Sequence, residues 1–110
     1  MDFESSTFSK KPAYRYIRPS DGLPSTDKAL DMGGDAPVLV KLFNPSGMGT
    51  WYITGYDPDT RIATGAAELF ELEAGDFWMG ELVDLRVKPF GLPIERDLYW
   101  TVKPLREVLA

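Results

Sequence analysis

Among the carboxylates that stand two residues apart are the pairs in Asp57-Pro58-Asp59 and Glu95-Arg96-Asp97. Pairs of this kind are where acid–base or cation chemistry would start, because two carboxyls held together can split their roles or share a metal ion. The first pair opens as an EF-hand loop does. Arg61 then occupies the third side-chain ligand position and Ile62 the slot that needs glycine, so the calcium pattern fails. Asp57-Pro58-Asp59-Thr60 instead suits a type I turn, with Asp first and Pro second. In the second pair, Arg96 can make a bidentate bond to a carboxylate, either to recognise a ligand or to brace the turn, and we take the bracing reading for Glu95, Arg96 and Asp97.

No motif in the 110 residues sets an activated nucleophile or a third ligand beside either pair. The chain has no Cys and no His, which removes thiolate chemistry, sulfur zinc sites and the commonest metal ligand and general base. We therefore expect no enzyme, and assign no catalytic, cofactor-binding or metal-binding residue. Ser46-Gly47-Met48-Gly49-Thr50 is glycine-rich but lacks the Gly-Lys-Ser/Thr ending of a phosphate loop, so it reads as a strand connection beside Trp51.

Charge says more. The net charge is −5, yet residues 57–84 hold eight carboxylates against Arg61 alone, a net −7. Such a stretch repels phosphate and suits a protein partner with a basic surface, or else simple solvation. On the partner reading, Asp57, Asp59, Glu68, Glu71, Glu73, Asp76 and the neighbouring aromatic Trp51 are the candidate contact residues. The start of the chain has no basic flank and no apolar run, and no window approaches a membrane span, so the expected location is the cytoplasm with no membrane partner.

The elements that must position these residues read as follows. Residues 1–36 form an irregular N-terminal segment, broken by Pro12, Pro19 and Pro24, with a short helix over about 27–32 capped by Ser25 or Thr26 and stopped at Gly33-Gly34. Residues 37–110 form a single α+β domain. Its strands are Val38–Phe43, Trp51–Tyr56 and Arg61–Ala67 in an antiparallel meander, then Phe77–Met79 as a short buried strand and Asp97–Val102 as the last one. Residues 68–75 read as a connector, with short helices over 81–86 and 105–109. The fold class is α+β, with a mainly antiparallel four- or five-stranded sheet and one or two short helices. Consecutive aromatics at 51–52 and 99–100 project to both sheet faces, so residues 1–24 or a second copy in a homodimer must cover one of them.

Several runs form a recognisable set: Lys41-Leu42-Phe43-Asn44-Pro45, Trp51 with Thr54, Tyr56-Asp57-Pro58, Glu73-Ala74-Gly75-Asp76-Phe77 leading to Gly80-Glu81-Leu82, and Gly91 to Tyr99 as Gly-Leu-Pro-Ile-Glu-Arg-Asp-Leu-Tyr. Over about residues 37–109 the chain resembles a family of uncharacterised small proteins, a domain of unknown function, that recurs on conjugative plasmids, integrative elements and phages. Gly80 stands where a Ser would cap the helix in that family. The resemblance implies a mobile-element setting and no chemistry. Setting and charge together suggest a non-enzymatic interaction module, one that counters a host defence such as CRISPR or restriction by occupying a basic protein surface. The alternatives are a nucleic-acid binding module on an aromatic sheet face, favoured if Lys10, Lys11, Arg15 and Arg18 cluster with Arg96, Lys103 and Arg106, and a small hydrolase or nucleotide-binding enzyme, favoured by a pocket holding Glu95 or Asp97.

Overall fold

The structure is a computed structural model and describes residues 2–110. In chain order its elements are α1 (Thr26–Met32), β1 (Pro37–Val38), β2 (Val40–Phe43), β3 (Thr50–Asp57), β4 (Ile62–Glu68), β5 (Leu72–Trp78), α2 (Met79–Asp84), β6 (Arg86–Val87), β7 (Leu92–Pro93), β8 (Glu95–Arg96), β9 (Lys103–Pro104) and α3 (Leu105–Leu109). Five strands form one antiparallel sheet in the order β5-β4-β3-β2-β8, and β1 with β9 and β6 with β7 make two-stranded pairs. The fold is α+β, with an irregular N-terminal stretch.

Local chemistry explains the elements. Ser25 accepts a hydrogen bond from the Lys28 N–H and so caps α1, and Gly33 at φ 57° ends it. In the meander, Val40 and Leu42 pair with Ile53 and Trp51, and Ala63 pairs with Tyr56, so these side chains share one face. Thr54 is the extra residue of a bulge between Ile53 and Gly55. Opposite it, Gly65 has φ 151°, and a Cβ there would lie 1.9 Å from the Tyr52 carbonyl oxygen. Only glycine fits.

That face carries the core: Val40, Leu42, Trp51, Ile53, Tyr56 and Ala63 pack with Met79, Leu82 and Val83 of α2, with Ile94, and with Tyr16 and Ile17. Tyr16 and Ile17 are fully buried, so the N-terminal stretch lies over the aromatic face as part of the same core. It folds back on itself through an antiparallel bridge between Glu4 and Ile17. Full burial of a side chain of this size is worth about 1.5–3 kcal/mol, so these two residues alone contribute several kcal/mol to holding the segment down. On the other face, α1 packs on β3 and β4, and α3 on β4 and β5. Gly55 permits that approach, since a Cβ there would meet Ala29 Cβ at 2.7 Å.

Three expectations are corrected. Val38–Phe43 breaks at Leu39 into β1 and β2, which pair with different partners. Residues 72–78 are not a connector leading to a buried strand but a continuous edge strand, with Trp78 48% exposed and only Met79 buried. Residues 97–102 form no strand: the Asp97 carboxylate accepts the Tyr99 N–H and turns the chain, a local bond that competes with a ladder. Leu98 and Tyr99 are exposed there, while Trp100 turns in, sets its ring at a tilt 5.8 Å from that of Tyr52 and donates its indole N–H to the Val38 carbonyl.

Candidate functional site

The sheet ends at β5, and Glu68, Glu71, Glu73 and Asp76 are all exposed around it. The register with β4 pairs Ala67 with Glu73, Gly65 with Gly75 and Ala63 with Phe77 on one face, and Glu68 with Leu72, Ala66 with Ala74 and Thr64 with Asp76 on the other. Glu73 and Asp76 therefore flank the strand from opposite sides, while Glu68 and Glu71 bracket the hairpin tip at Leu69-Phe70, where Phe70 is 92% exposed. Among the described residues, none of these four carboxylates has an ion-pair partner. Among the described residues, too, no group of His, Cys, Asp and Glu is placed to hold a metal ion.

The backbone of β5 is open as well. Just past the strand, Met79 N–H donates to the Arg61 carbonyl at 2.9 Å, and the antiparallel ladder alternates from there. Glu73, Gly75 and Phe77 thus bond inward to β4, while the N–H and C=O groups of Leu72, Ala74, Asp76 and Trp78 point away from the sheet. Two hollows flank the strand. One of about 390 Å³ lies on the face of Glu73 and Phe77, lined also by Ala67, Phe70 and Glu71. The other, of about 280 Å³, lies under α1 and α3, between Leu30, Leu105 and Leu109.

The remaining candidates sit elsewhere and do structural work. Trp51 is 7% exposed in the core, which corrects its assignment as a contact residue. Asp57 accepts the Thr26 N–H at 3.0 Å and the Thr26 hydroxyl at 2.5 Å, tying the first turn of α1 to the end of β3. It is therefore spent on the fold rather than offered to a partner. Asp59 is exposed in the turn after β3. Arg96 pairs with neither Glu95 nor Asp97. It donates to both oxygens of Asp21 at 2.8 and 2.9 Å and to the Tyr16 carbonyl at 3.3 Å, with both side chains largely buried. Asp97 lies 3.6 Å from the Lys41 ammonium. The cluster is not one site but two separate contacts, and the bracing reaches the N-terminal segment rather than the turn.

One polar group escaped the sequence reading. Glu4 is 2% exposed and accepts from Arg61 Nε and Nη2 at 3.0 and 2.8 Å, and from the Tyr56 hydroxyl. Burial, followed by the bond to the Glu4 carboxylate, raises the Tyr56 pKa, while the Arg61 pKa is raised by its bonds to Glu4. Tyr16 is pushed up to about 12, mainly by burial. The only signal for this clamp was Arg61 itself, the lone cation of the acidic stretch.

A family model described as a protein of unknown function (DUF2958) matches residues 24–108. The chain belongs to this family. No curated protein and no solved structure matches it. The DUF2958 match takes in α1 as well as the runs noted above, and all of β5. It stops short of the segment that covers the core face. Both clamps cross that limit: Arg61 and Arg96 lie inside the DUF2958 region, and their partners Glu4 and Asp21 before it. At Gly80, a Cβ would lie 2.2 Å from the Trp78 ring, so the Trp78 side chain folded over the start of α2 excludes a serine in this geometry.

Proposed function

We propose that this protein is an interaction module whose β5 end holds a partner protein by a basic surface, with no chemical step of its own. The observation that carries this is the open seven-residue edge strand rimmed by four carboxylates without an ion-pair partner among the described residues, whereas Glu4, Asp21 and Asp57 are engaged inside the fold. Edge strands are ready templates for association, and complementary charge selects the partner and speeds encounter. The mobile-element setting implied by the resemblance makes a basic-faced component of a host defence the first partner class to test. The nucleic-acid alternative gains nothing, because Arg15, Arg96 and Arg106 of its required basic cluster are paired with Asp2, Asp21 and Asp35. Neither hollow is lined by Glu95 or Asp97, so the enzyme alternative gains nothing either.

The test compares wild type with the double variant Glu71→Lys/Glu73→Lys as bait in a bacterial lysate, at low and at raised salt. Wild type should retain basic proteins that raised salt releases, and the variant should lose them. Identical retention by both, with the same salt response, sinks the proposal.

A further inference from the structure

The binding mode can be taken further on the strength of that reading. We propose that the partner enters as an extended segment that adds a strand to β5, carrying basic side chains on one face and apolar side chains on the other. Three observations converge on it. The outward N–H and C=O groups of Leu72, Ala74, Asp76 and Trp78 are those an added strand would use, and β5 is the sheet's long exposed edge. A Cβ at Gly75 would meet nothing within 4 Å, so at its middle the strand is uncovered on the face of Glu73 and Phe77.

The hollows supply the side-chain code. In an extended chain successive side chains point to opposite sides, so one residue of the added strand reaches the first hollow and the next reaches the second. The two differ in chemistry. In the first, Phe70 and Phe77 offer ring surface to the methylenes of a Lys or Arg, and Glu71 and Glu73 meet its charge. In the second, Leu30, Leu105 and Leu109 surround small residues of the sheet and suit an aliphatic side chain.

Charge also decides between occupants. A second copy docking β5 to β5 would gather Glu68, Glu71, Glu73 and Asp76 of both molecules along one seam, whereas a basic strand neutralises them. The same acids that block self-pairing of an exposed edge therefore select a cationic one.

The probes are a short peptide alternating arginine and valine, a peptide of the same composition with its arginines grouped at one end, and the alternating peptide N-methylated at every second amide. Binding is read by fluorescence anisotropy, and backbone involvement by amide hydrogen exchange. The alternating peptide should bind about tenfold more tightly than the grouped one, N-methylation should abolish binding, and exchange should slow at the Ala74 and Asp76 amides. Ala74→Pro removes an outward N–H that the β4 ladder does not use, so it should leave melting nearly unchanged and weaken the alternating peptide about tenfold. Equal affinity for the alternating and grouped peptides, wild-type binding by Ala74→Pro, or no binding by any peptide overturns strand addition. If Ala74→Pro does not fold, exchange in wild type decides, and unslowed Ala74 and Asp76 amides in the bound state overturn it. The underlying basic-partner reading is separated by Glu71→Lys/Glu73→Lys: if strand addition fails but this variant still loses the basic peptides, that reading stands, and if it binds them as wild type does, both fall.

Discussion

Two sets of carboxylates in this protein differ in surroundings rather than in type. Glu4, Asp21 and Asp57 sit where the N-terminal stretch and α1 meet the sheet, and each accepts two or more bonds from an arginine, a tyrosine or a helix start. Glu68, Glu71, Glu73 and Asp76 ring the far edge strand and face water. Removing one partner of a pair held away from water costs about 3–5 kcal/mol, because the other charge is left stranded, whereas an exposed charge contributes about 0–1 kcal/mol. The first set holds the fold together, and the second is the set that the proposed docking would use.

The hardest way to break that contrast is to remove the segment carrying Glu4 and Asp21. Deleting the residues before Pro24 uncovers Trp51, Ile53 and Tyr56 and loses the burial of Tyr16 and Ile17 together with both clamps. The combined loss is comparable to the whole net stability of a domain this size, about 5–15 kcal/mol. The truncated chain should bind a hydrophobic dye and self-associate in size-exclusion chromatography. A monomer that binds no dye and melts with the full chain would show that the segment does not shield the core.

Single arginines come next. Arg96→Ala strands the largely buried Asp21 and should destabilise the fold by about 3 kcal/mol in urea titration. Arg61→Ala should cost less, about 2 kcal/mol, because Arg61 is 41% exposed and the Tyr56 hydroxyl still serves Glu4. A larger loss for Arg61→Ala than for Arg96→Ala would reverse the ranking of the two clamps.

Alkaline pH probes the same interior. Tyr16 and Tyr56 both titrate above the usual tyrosine value of 10.0, Tyr16 at about 12, so their neutral forms are favoured by folding. The unfolded chain releases these protons first. Stability that is intact below pH 10 is therefore lost as pH rises towards 12, by about 1.4 kcal/mol per pH unit for each tyrosine. Comparing wild type with Tyr16→Phe at increasing pH isolates one of them: the variant should fall less steeply, and parallel curves would refute the assignment.

The smallest expected effect on stability belongs to the second set. Glu71→Lys/Glu73→Lys should shift unfolding by no more than about 0.5 kcal/mol, since nothing inside the fold depends on either side chain. A shift of several kcal/mol would show that the edge carboxylates are part of the scaffold and dissolve the distinction between the two sets.

What could be read along the chain was whatever is settled within a few residues. The cap at Ser25 and the stop at Gly33, the meander of β2, β3 and β4, and the terminal turn of α3 all follow from short-range capping, β-branched runs and turn residues. Strand β5 was not legible, because an edge strand with both faces largely in water shows no alternation of apolar and polar residues. The run 97–102 looked like a strand by composition, yet one side-chain bond from Asp97 turned it aside. The partners of the charged residues were decided only in three dimensions. Arg96 reads locally as the mate of the acids beside it, but finds Asp21 75 positions away, and Arg61 finds Glu4 57 positions away. Glu95 precedes Arg96 on β8 and so points to the other face, and Arg61 sits in the turn before β4, so the partner of each arginine is the distant group that the packed core brings beside it.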